Sequence, residues 1–236
     1  MWTDQARSAR AYSILTVLIA ALVLASSGFG ILVKGTYSRE TSDWASQAQA
    51  QDAVNVVAVV VLLVAAYFTV EKWSVRGLLV WAGSLLFLIY GFVIFAFASH
   101  YNDLFLLYVA TLGASVYAFL GGVLRLDFEE VKRRSAIGGR GRLALSALLL
   151  VVAGAFYALW LSEDVPSLLN GTVPASVTTA GLLVNPIHVL DMGLYLPAMV
   201  ITAVSLRRDG ALGHTFTLPL LTFSVLTVLG IAAIVV

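Results

Sequence analysis

Seven uninterrupted apolar runs, at 12–33, 53–70, 77–98, 104–124, 143–161, 187–206 and 215–236, restrict this chain more than any other feature. A helix of about 20 apolar residues crosses the roughly 30 Å hydrocarbon layer of a bilayer, and each run reaches or approaches that length. The runs are continuous rather than alternating, so they specify helices and not the strands of a transmembrane barrel. Hydrophobic residues make up 60% of the chain and charged residues only 11%, where a soluble domain carries charge on about a quarter of its residues. A soluble fold of this size cannot hide so much apolar surface from water. The expected fold class is all-α: a single integral membrane domain, residues 1–236, built as a seven-transmembrane-helix bundle. The first run continues past Ser26, Ser27 and Gly28, so it reads as a retained helix rather than a cleaved signal peptide.

The basic residues predict an orientation. If the N-terminus is cytoplasmic, the inner segments hold twelve of the fourteen Lys and Arg residues: Arg7, Arg10, Lys72, Arg76, Arg125, Lys132, Arg133, Arg134, Arg140, Arg142, Arg207 and Arg208. The outer segments hold only Lys34 and Arg39. This is the positive-inside asymmetry. It places the C-terminus outside and suggests a multi-pass protein of a bacterial or archaeal plasma membrane. Between the spans, segment 99–103 allows only a tight antiparallel hairpin. A helix start with Ser or Thr capping near 42–45 projects the second helix beyond the membrane. The basic segment 127–142, with three glycines, reads as a flexible cytoplasmic loop that touches anionic lipid. Segment 162–185 contains Pro166 and Pro174 and reads as an outer loop lying over the bundle as a lid. Pro197 and Pro219 are expected to kink helices six and seven.

The chemistry-bearing residues gather near the predicted outer face. An ionised side chain at mid-membrane costs about 2.5–3.5 kcal/mol on insertion scales, so such residues are rare and usually functional. Asp191 is the deepest. Asn185 can cap the sixth helix with Pro186 in its first position. His188 and Asp191 then share one helix face, with Tyr195 close to the same stripe. His100 and Asp103 repeat the His-x-x-Asp spacing, and Asp52 opens the second helix with Asn55 one turn on. Helices two, four and six all descend from the outer face, so Asp52, Asp103 and Asp191 are expected at one depth. His188, Asp191 and Asp52 could then hold a divalent metal such as zinc, or the cluster could relay protons. Plainer readings stand beside these. Asn102 and Asp103 are ordinary helix caps, His100 is solvated, and His188 with Asp191 is a structural pair. Tyr108, Thr111 and Ser115, and the Ser and Thr residues of helix seven, glue helices together. His214 reads as interfacial.

Several classes are excluded. Without cysteine there is no disulfide, thiolate nucleophile or iron–sulfur cluster. No Lys lies within a span, so a retinal Schiff base is impossible. A net charge of +1 gives no sign of a nucleic-acid partner. Seven spans with an inward N-terminus resemble the topology of adiponectin-receptor and alkaline-ceramidase hydrolases. Those families carry His-x-x-x-His in the last helix, where this chain has only His214, so their site does not transfer. Three functions remain. The first is a metal-dependent hydrolase whose catalytic pair is Asp191 and His188, with Asp52, Asn55, Tyr195, His100 and Asp103 binding the ligand. The second is a small proton- or ion-coupled transporter, or an accessory subunit of one. The third is a scaffold with membrane lipids and an unidentified protein as partners.

Overall fold

The computed structural model describes the backbone of residues 2–235 and the side chains of residues 12–234. Val236 and the side chains of Arg7 and Arg10 lie outside the described residues. Every element among the described residues is helical. In chain order these are α1 (Trp2–Leu32), α2 (Ser42–Glu71), α3 (Val75–Ala98), α4 (Phe105–Val123), α5 (Phe128–Arg134), α6 (Gly139–Asn170), α7 (Ala175–Ala180), α8 (Pro186–Leu190), a π-helical turn (Asp191–Tyr195), α9 (Leu196–Arg207) and α10 (Ala211–Val235). The segments α8, π turn and α9 run on as one helix, Pro186–Arg207. Seven helices among the described residues are long and apolar enough to cross a membrane. That result supports an integral, multi-pass membrane protein.

Two helices exceed a bilayer's needs. Helices α2 and α6 have 30 and 32 residues, which at a rise of about 1.5 Å per residue is about 45–48 Å. The extension of α2 toward its N-terminus matches the sequence expectation. That of α6 does not, because the first part of segment 162–185, expected as loop, continues the helix. Helix α6 passes through Pro166 and ends at Asn170. Gly171 follows it with φ 62°, Thr172 N–H donates to the Ser167 carbonyl at 2.9 Å, and Gly171 N–H donates to the Leu168 carbonyl at 3.3 Å. This is the Schellman closure that a glycine in the left-handed region permits. The short helix α7 then ends the same way at Gly181. The basic segment is also more ordered than a flexible loop. Asp127 accepts from the N–H groups of Glu129 and Glu130 and so caps α5.

The chain divides into two compact units. The first comprises Met1–Arg39, Ala45–Leu126 and Leu218–Val236, and the second Glu40–Trp44 and Asp127–Thr217. In the first unit, α1 and α3 both pack on α4. The indole N–H of Trp81 on α3 donates to Thr16 Oγ1 on α1 at 2.8 Å. A Cβ on Gly83 would meet the backbone of Pro219 at 2.5–2.9 Å, so glycine is what lets α3 approach α10 this closely. Small residues at helix contacts play this role where lipid removes the hydrophobic drive between helices. In the second unit α6 packs along α9. Outward faces keep large apolar residues exposed, among them Leu106 and Tyr117 in the first unit and Val151 and Leu159 in the second. Lipid contact stabilises such faces and water would not.

Proline and hydroxyl residues also find local solutions. Pro197 has no N–H and would crowd the carbonyl four residues back. The chain widens into the π turn just before it, with Leu196 N–H reaching Asp191 O. π turns of this kind often occur at functional sites. Thr217, Thr222, Ser224 and Thr227 each donate to the carbonyl four residues earlier in α10, so these bonds close within one helix rather than joining two helices, as the sequence reading expected.

Candidate functional site

The second unit builds its polar cluster from two helices. Asn185 accepts from the N–H groups of Ile187 and His188 at 3.0 and 3.4 Å, with Pro186 at the first helical position, as the sequence predicts. This cap fixes where His188 stands on α8. Its side chain lies against α6, where Tyr157, Trp160 and Asp164 follow a helical spacing of three and four. The Trp160 ring stacks on the His188 ring, with centroids 4.4 Å apart and 30° between planes. The Trp160 indole N–H donates to Asp191 Oδ2 at 2.9 Å. Tyr157 donates to the carbonyl of Met192, inside the π turn, at 2.9 Å.

His188 and Asp191 thus share one neighbour, as their spacing suggests, but the acid that His188 meets through hydrogen bonds is Asp164. His188 Nδ1 lies 3.0 and 3.1 Å from the two Asp164 oxygens. A carboxylate only accepts, so this contact places a proton on Nδ1. Nε2 is buried with no hydrogen-bond partner among the described residues. The nearest acid to it is Glu163, whose Oε2 is 3.9 Å away. Glu163 is held by Oε1, which accepts from Ser176 N–H at 2.8 Å. Asn185 Nδ2 donates to the Ser176 hydroxyl at 3.2 Å. His188 itself is 3% exposed. A proton arriving at Nε2 would create a cation met by Asp164, Glu163 and the indole face. Tyr195 is buried one turn beyond Asp191.

The first unit carries a separate group. Asp52 is fully buried, and Tyr37, from the turn after α1, donates to its Oδ2 at 2.5 Å. Asn55 donates to Ser27 Oγ on α1 at 3.1 Å and accepts from Gln51 at 2.9 Å. Gly30 makes room for the pair, since a Cβ there would collide with the Asp52 carboxyl. Tyr37 stacks on Phe95, and Phe95 stacks on Tyr108. Burial first, and then the neighbouring Asp52 charge, hold the Tyr37 phenol far above its ordinary range, so it stays a donor.

Of the sequence candidates, Asp52 and Asn55 belong to the first unit, and His188, Asp191 and Tyr195 to the second. Tyr37 lies in Asp52's own unit, just as Asp164 and Trp160 lie in that of His188. His100 and Asp103 are exposed in the turn between α3 and α4, where Leu104 N–H donates to the Asn102 side-chain oxygen at 3.0 Å within the turn. Helix α4 itself starts at Phe105 without a side-chain cap, so the expected capping by Asn102 and Asp103 is not found. The metal expectation finds no support. Among the described residues no group of three or more His, Asp or Glu is arranged to hold a metal ion.

His214 stands in the first turn of α10. It is 5% exposed, with Nδ1 2.9 Å from Ser135 Oγ and Nε2 2.8 Å from Asp209 Oδ1. Arg142 and Lys132 also reach Asp209, at 2.8 and 3.5 Å. The Ser–His–Asp order is that of a nucleophile triad. Asp209 here is instead the hub of a charge cluster that ties α5 to the turn before α10. The chain matches no known protein family, no curated protein and no solved structure.

Proposed function

We propose that this protein is a small proton-coupled membrane transporter, or an accessory subunit of one, and that His188 is its proton-exchanging group. The single observation that carries this reading is the buried imidazole of His188, held at Nδ1 by Asp164 while Nε2 stands unpaired toward Glu163. Asp164 acts as the orienting acid and Glu163 as the group that delivers or removes the proton. Asp191, reached through Trp160, sets the position of the shared indole. Histidine is the side chain best suited to exchange protons near neutral pH. The proposed topology keeps the N-terminus inside and the His188 cluster toward the outer face, because the basic residues divide twelve to two. The exposed Arg133 and Arg134 side chains of α5 would face anionic lipid on the inner side. A metal-dependent hydrolase would need ligands that the described residues do not assemble.

Nitrogen-15 NMR of histidine-labelled protein tests the reading, since the chain has three histidines and each signal can be assigned by substitution. With the ring neutral, His188 should show the tautomer protonated at Nδ1. Asp164→Asn should abolish that bias. A wild-type ring protonated at Nε2, or a spectrum indifferent to Asp164→Asn, would overturn the assignment.

A further inference from the structure

Asp52 presents a different problem from His188. Its residue is 0% exposed. One oxygen accepts from Tyr37, and the other, Oδ1, is buried with no hydrogen-bond partner among the described residues. Ser27 is near enough to interact with the carboxyl, without closing a hydrogen bond to Oδ1 of normal geometry. Among the described residues, the titratable groups that face it are Tyr37 and, behind Tyr37, Tyr108. Neither is basic. A lone buried carboxylate is among the least favourable groups in a protein interior, so its charge calls for a counter-charge. The oxygens beside it are Ser27 Oγ and the Tyr37 hydroxyl, both hard donors. They suit a proton or a small alkali cation and offer no nitrogen or sulfur.

We propose that Asp52 is a second, independent cation-exchange site, which binds and releases a small monovalent cation, H⁺ or Na⁺, at its free Oδ1. Tyr37 anchors the other oxygen, so the cation reaches a carboxyl already fixed in orientation. The chain Gln51 to Asn55 to Ser27 orients the hydroxyl beside it. Gly30 is required because a methyl group at that position would occupy the space of the carboxyl. The site does not depend on the His188 reading, and its test reads Asp52 with no flux measurement.

Infrared difference spectroscopy of the full chain in liposomes, with ¹³C-labelled aspartate, tests the proposal. The expected result is a carboxylic-acid C=O band that Asp52→Asn removes and that disappears as pH rises. If sodium chloride at fixed pH also removes it and potassium chloride does not, Na⁺ is the exchanging ion. If salt has no effect, the proton is. Tyr37→Phe keeps the ring stack and removes the donor, so it should shift the band's frequency. This covers the case in which Asp52→Asn fails to fold. Three results would overturn the proposal: no aspartate band sensitive to pH or sodium, a band unchanged at every pH and salt, or a band unmoved by Tyr37→Phe.

Discussion

Asp209 shows how one residue can organise a helix junction. It sits in the turn between α9 and α10 with φ 58°, a left-handed conformation that Asp tolerates better than most residues. From there its carboxylate meets His214, Arg142 and Lys132. The hydrogen bond from His214 leads, and the charges of Arg142 and Lys132 add to it, in holding this carboxyl below its usual range. A carboxyl with a depressed folded value stabilises the fold at every pH above its unfolded value, about 3.9. That contribution disappears as pH falls through the lower folded value. Between pH 7 and pH 3 the wild-type melting temperature in detergent should therefore fall further than that of Asp209→Asn. Equal falls would show that the cluster contributes nothing to stability.

At the scale of elements, α6 is where the sequence misleads. The apolar run ends near Leu161 and Pro166 follows it, so the polar residues Glu163 and Asp164 read as loop. The helix continues, and those two acids become the partners of His188. The spacing of Tyr157, Trp160 and Asp164 was available in the sequence and places all three on one face once the helix is extended. Hydropathy stopped short because the helix outruns the hydrocarbon layer. By contrast, the spans themselves and the Asn185–Pro186 cap were legible, because each depends on local rules. The Tyr37–Asp52 pair and the Asp209–His214 cluster were not, since each joins residues through a tertiary contact that no periodicity records. Pro166 interrupts the backbone bonding of α6 without ending it, so Pro166→Ala should raise the unfolding free energy, by at most about 3 kcal/mol. A loss of stability would mean that the proline sets a bend the site requires.

For the whole molecule, seven membrane-length helices and two compact units frame the proposed activity. Each unit holds an acid with an unusual neighbour: Asp52, buried against Tyr37, in one, and Asp164, partly exposed beside His188, in the other. Proton exchange across a membrane is a property of the full chain rather than of either cluster. The most direct measurement is proton movement into liposomes that hold the purified protein and a pH-sensitive dye. It is driven by an imposed potential, with and without a panel of sugars, amino acids and organic acids outside. Wild-type protein should carry protons faster than protein-free liposomes in at least one condition, and His188→Ala and Asp164→Asn should reduce that rate at least about tenfold, the effect of roughly 1.4 kcal/mol on a barrier. Wild-type liposomes that never outpace empty ones, or a His188→Ala variant that keeps the full rate, would contradict the account.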